Sequence, residues 1–145
     1  GIFFGWAKPV PVNERNLKNP RVDMFWIALA GPLSNILLAI VAALVLKFSA
    51  GLLVGTTYMS PVMELMKAFI TVNLFLAVFN IIPLHPLDGG KVLARFLPES
   101  INRKLEENEA MTSMILLMII LFGGIKFLVP VVQVLYSLII QTIII

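Results

Sequence analysis

The chain has 145 residues, 59% hydrophobic and only 13% charged, with mean hydropathy +0.98 and net charge +3. A soluble domain is about one quarter charged, so this composition excludes a soluble globular enzyme and predicts one all-α domain embedded in a membrane. The absence of cysteine excludes a disulfide framework and a thiolate metal site. The few cations cluster beside apolar runs, which reports membrane topology and gives no basis for nucleic-acid binding.

Residues 1–13, GIFFGWAKPVPVN, are apolar, aromatic and spaced by prolines, so a short extended segment is expected there rather than a helix. Two roles stay open for it. It is either a strand whose edge accepts an unwound peptide or a loop anchored at the interface by Trp6. A polar stretch with Arg15, Lys18 and Arg21 leads into an apolar run at 24–46. About 20 apolar residues cross the hydrocarbon core, so this is the first predicted span.

That span contains Ala30-Gly31-Pro32-Leu33-Ser34-Asn35. Gly31 and Ser34 let another helix approach closely, Pro32 leaves a carbonyl free, and Asn35 has an amide to bond across. The stretch reads as a packing face before it reads as chemistry. A Gly/Ser/Thr loop over 47–61 precedes the second span, 62–82, with Glu64 and Lys67 placed to pair near its start. Asn73 and Asn80 fall two turns apart on one face. Asn73 reads as interhelical glue.

The chain is organised around Asn80-Ile81-Ile82-Pro83-Leu84-His85-Pro86-Leu87-Asp88-Gly89-Gly90. Pro83 and Pro86 bias the residues before them out of the helical region, so the second span must break here. Gly89 and Gly90 then permit backbone angles that other residues avoid. Asp88 is thereby held at a broken helix end. Irregular backbone at that depth belongs in protein or beside water, and an ionisable side chain there is a site candidate.

Past the break, 91–96 continues as a short amphipathic piece interrupted by Pro98. Ser100 is the predicted N-cap of a charged, solvated helix running to Glu109. Two further spans, 110–127 and 128–145, form a hairpin turning at Gly123-Gly124, with Lys126 snorkelling to the interface. About four spans are therefore expected, with a helical loop on the cytoplasmic side. Lys8, Arg15, Lys18 and Arg21 precede the first span, and Lys91, Arg95, Arg103 and Lys104 follow Asp88; Lys47, Lys67 and Lys126 face them. That bias places Asp88 toward the cytoplasm.

Asn80-x-x-Pro83 followed by Pro86-Leu87-Asp88-Gly89 resembles a signature of the site-2 protease family (peptidase family M50), the intramembrane zinc metalloproteases. The Gly31-Pro32-x-x-Asn35 motif and the 5–13 segment, GWAKPVPVN, resemble further parts of that family. The resemblance implies that Asp88 is the third zinc ligand and that Asn80 steadies the substrate carbonyl or the oxyanion. It also implies one Zn2+ ion, a membrane-protein substrate and a multi-pass location in a bacterial cell membrane. The family's other two ligands come from His-Glu-x-x-His, where the i, i+4 spacing puts both histidines on one helix face. This sequence has no such motif and one histidine, His85, whose position is not a ligand in the family. The chain is therefore read as the C-terminal part of a longer protease, truncated upstream of Gly1 and inactive alone. Two rivals stay open: a pseudoprotease that binds or scaffolds in the membrane without metal, and a transporter fragment, since a broken helix ending in a carboxylate also suits ion coupling.

Overall fold

The computed structural model describes residues 17–144. The predicted extended segment, 1–13, lies outside the described residues. Among those described there are helices and no strands. In chain order they are α1 (Pro20–Leu53), α2 (Met59–Asn80), α3 (Asp88–Ala94), α4 (Glu99–Glu107), α5 (Glu109–Leu121), a 3-10 turn (Gly124–Phe127) and α6 (Val129–Ile143).

Helix α1 is longer than the predicted span 24–46 at both ends. Pro20 stands in its first turn, where a missing N–H costs nothing. The Asn19 N–H donates to Asp23 Oδ2 at 3.0 Å, and a carboxylate in the first turn suits the helix dipole. Lys47 does not end the helix, because a lysine stem can lie along apolar surface while its ammonium reaches water. The 34 residues of α1 extend about 51 Å at 1.5 Å per residue. The hydrocarbon core is roughly 30 Å thick, so α1 tilts or protrudes.

The core forms where α1, α2 and α6 meet. Ala39, Ala42 and Ala43 of α1 pack against Ile70 and Leu74 of α2 and Val132 of α6. Ala39, Ala43 and Ile70 have no exposed surface. Alanines on one helix face let two backbones approach closely, and in lipid such packing is what joins helices. Ala43→Leu should therefore overpack the α1–α2 contact and destabilise by about 1–3 kcal/mol. A lowered thermal midpoint in detergent checks this. The outward faces carry Leu37, Leu38, Phe48, Leu65 and Leu138, all exposed, as lipid requires.

The described residues contain three helical stretches long and apolar enough to cross a membrane: Pro20–Leu53, Met59–Asn80 and Gly124–Ile143. The protein is an integral membrane protein. The predicted span 110–127 is divided, because the chain already turns at Gly123, whose φ is 84°. That leaves α5 as a mostly apolar helix of 13 residues, and it touches chiefly α4 and the 3-10 turn. Helix α4 buries none of its residues, as a solvated helix should. It begins one residue before its predicted cap: Pro98 takes the cap position with ψ 144°, and no side chain caps the end. Ser100 lies inside the helix.

Candidate functional site

Helix α2 stops where the prolines demand it. The Ile81 N–H still reaches Ala77 O at 3.1 Å, and the chain then leaves the helical path through residues 81–87. Four further backbone bonds hold this segment: Ile82 N–H to Phe79 O at 3.2 Å, Leu84 N–H to Ile82 O at 2.8 Å, Leu87 N–H to Leu84 O at 2.8 Å, and Gly90 N–H to Leu87 O at 3.0 Å. A break of this kind survives in a membrane protein only when its polar groups are paired or wet. The His85–Pro86 bond is cis. Leu87 is buried and extended, and Asp88 opens α3 directly after it.

The two glycines after Asp88 serve a different purpose from the predicted one. Neither has a positive φ. They supply room. A β-carbon on Gly89 would collide with the carbonyl oxygens of Ile81 and Ile82. The first turn of α3 therefore lies directly against the end of α2, which brings the Asp88 and Asn80 ends of the two helices together. A β-carbon on Gly90 would lie 2.8 Å from the His85 backbone nitrogen and 2.9 Å from its Nδ1.

Helix α1 cradles α3 along its length. At one end, Gly31 faces Asp88: a β-carbon there would stand 2.8 Å from Asp88 Oδ2. At the other end, Arg21 donates to Leu97 O and, at 3.3 Å, to Ala94 O. A cation on the last carbonyls of a short helix also complements its dipole. Between these points the Phe25 and Phe96 rings meet edge-on with centroids 6.0 Å apart. The Arg95 guanidinium lies 4.8 Å over the Phe25 ring. Sequence reasoning assigned neither Arg21 nor Phe25 to the site. Their only signal was a cation and an aromatic ring one turn apart at the start of the first span. Arg21→Ala should loosen α3 without unfolding α1, seen as faster amide exchange over 88–97 with an unchanged helical signal.

The predicted site residues are placed as follows. Asp88 is half-buried, and its carboxylate has no hydrogen bond or ion pair among the described residues. Asn80 is the half-buried last residue of α2. His85 is 8% exposed, and no hydrogen bond or ion pair joins it to Asp88. It forms part of the wall of a cleft of about 440 Å³ that also involves Arg21, Lys91, Arg95, Asn102 and Glu106. Asp88 does not line that cleft. Asn73 is buried, and one of its two amide N–H groups donates to Phe69 O of its own helix at 2.8 Å.

The donor set fits a metal in part. Asp88 offers hard carboxylate oxygens that are unpaired among the described residues, with Oδ2 lying where a β-carbon on Gly31 would crowd it. Among the described residues, no three His, Cys, Asp or Glu side chains come together as a full ligand set. One ligand is present and a catalytic zinc wants roughly three.

Asp88, a half-buried carboxylate, thus opens α3 directly after a helix break closed by backbone hydrogen bonds, and Asn80 ends the helix before that break. The model of Peptidase family M50 matches residues 53–123, a stretch that includes both Asn80 and Asp88. The Bacillus subtilis (strain 168) protein named "Putative zinc metalloprotease YwhC" is 35% identical over 109 residues, which cover 74% of this chain and 50% of that protein. The chain belongs to the M50, or site-2 protease, family. It spans about half the length of this relative. No solved structure matches it.

Proposed function

We propose that this chain is the aspartate-bearing half of an intramembrane zinc metalloendopeptidase that hydrolyses peptide bonds of membrane-embedded substrates. The observation that carries the proposal is the Asp88 carboxylate, unpaired among the described residues and seated against Gly31 at the break after α2. Family membership and the name of the Bacillus subtilis relative support the same reading.

In this proposal Asp88 is one zinc ligand, and two histidines outside this chain complete the set. When bound, zinc supplies Lewis acidity to the reaction. Asn80 holds its side-chain amide toward the scissile carbonyl, where an N–H donor stabilises negative charge developing on oxygen. The irregular 81–87 segment leaves space for a substrate helix to unwind, since a peptide bond inside a helix is closed to attack. Gly89 and Arg21 fix both ends of α3, so the carboxylate is held by rigid backbone. The cation bias around α3 supports a cytoplasmic side for this end of the protein, from which water would reach the site.

The test is cleavage of a membrane-embedded substrate by the full-length protein in vesicles. A zinc chelator should stop cleavage, and added zinc should restore it. Chelator-insensitive cleavage would overturn the zinc assignment, and a full-length protein with no metal and no cleavage of any membrane substrate argues for one of the rival readings.

A further inference from the structure

The geometry points to Gly31 as a positioning residue that sets the direction of the Asp88 carboxylate. The inference rests on the reading of Asp88 as a metal ligand and names the residue that aims it. A β-carbon on Gly31 would lie 2.8 Å from Asp88 Oδ2 and 3.8 Å from its carboxyl carbon, and it would meet nothing else within 4 Å. Gly51 in the same helix would meet nothing at all. The space at Gly31 is therefore taken up by one group only, the carboxylate.

Helix economy does not explain a glycine at this position. Alanine is the better helix former, and glycine inside a helix carries an entropic penalty. Packing against α2 does not explain it either, because no atom of α2 comes within reach of the missing carbon. The neighbouring residue, Pro32, is buried, so this part of α1 is fixed in place. The backbone of Asp88 is fixed as well, by the contact of Gly89 with Ile81 and Ile82 and by Arg21 at the far end of α3. What remains free is rotation about the two side-chain torsions of Asp88. Those torsions fall into few wells. The bare Cα of Gly31 leaves open the one in which Oδ2 lies against α1.

This predicts an unusual substitution. In Gly31→Ala, the atom that must move is the far end of a flexible side chain, so the fold accommodates the methyl group while the carboxylate turns away. Metal binding suffers and folding does not.

The experiment measures zinc affinity of the full-length protein by chelator competition, beside its thermal midpoint. Gly31→Ala should bind zinc about 10–100-fold more weakly, the usual loss when a ligand's supporting contact is removed, with its midpoint unchanged. Gly51→Ala should match the wild type. In an Asp88→Ala background, where zinc is already lost, Gly31→Ala should leave the thermal midpoint unchanged, because the group its methyl would meet is gone. Zinc affinity of Gly31→Ala within twofold of wild type overturns the inference. So does a lowered thermal midpoint in Gly31→Ala that persists at full size in the Asp88→Ala background, which would mean that Gly31 acts through packing. If Asp88→Ala alone keeps wild-type affinity, the ligand reading falls and the inference with it. Should Gly31→Ala fail to fold, the double variant decides: a folded Gly31→Ala/Asp88→Ala protein places the clash at the carboxylate, and an unfolded one overturns the inference.

Discussion

Asp88→Ala in the full-length protein is expected to reduce cleavage of a membrane substrate to background while leaving the helical content intact. The carboxylate has no hydrogen bond or ion pair among the described residues, so its removal orphans no buried donor and little stability is lost. Its proposed contribution is chemical. Lewis-acid stabilisation by a metal is worth several kcal/mol, and each 1.36 kcal/mol is tenfold in rate. Loss of the metal should therefore cost about 10³-fold or more. Asp88→Asn keeps the shape and removes the charge, so it should fare nearly as badly. Near-normal cleavage by either variant would show that Asp88 is a structural carboxylate.

Asn80→Ala should behave differently. Asn80 ends α2 with its side chain half-buried and unbonded among the described residues. If its amide donates to the oxyanion, its interaction exists mainly in the transition state. Such a change lowers kcat and kcat/KM together and leaves KM nearly unchanged. Removal of one oxyanion donor costs about 10²–10³-fold in kcat. Zinc content should stay at the wild-type level. Loss of zinc in Asn80→Ala would assign the residue to holding the break together.

Much of this site is legible in local sequence because local rules create it. Two prolines end α2 wherever it is placed, so the break after Asn80 and the position of Asp88 at its tip follow from residue type. The charged character of 99–107 likewise predicts a solvated helix, and α4 is one. Helix ends were less legible. Lys47 suggests an end because it is charged, yet its long stem tolerates continuation to Leu53. The turn falls at Gly123, as the Gly123-Gly124 pair suggests, and its positive φ ends the helix there and not at 127.

The tertiary part of the site was not legible. Gly31 reads as a packing residue, since nothing in Ala30-Gly31-Pro32 states what will occupy the space left open. Its partner lies far along the chain and only the fold brings it there. The same holds for Arg21, which reads as one cation of a topology signal and turns out to hold the carbonyls that close α3. Gly89 and Gly90 were read from their backbone freedom, whereas the structure uses their lack of a side chain.

The most direct measurement is the zinc content of the purified full-length protein and of its Asp88→Ala variant, prepared side by side in detergent. The account predicts close to one zinc ion per wild-type chain and almost none in the variant. Equal zinc in the two proteins, or none in either after zinc is supplied, would contradict it.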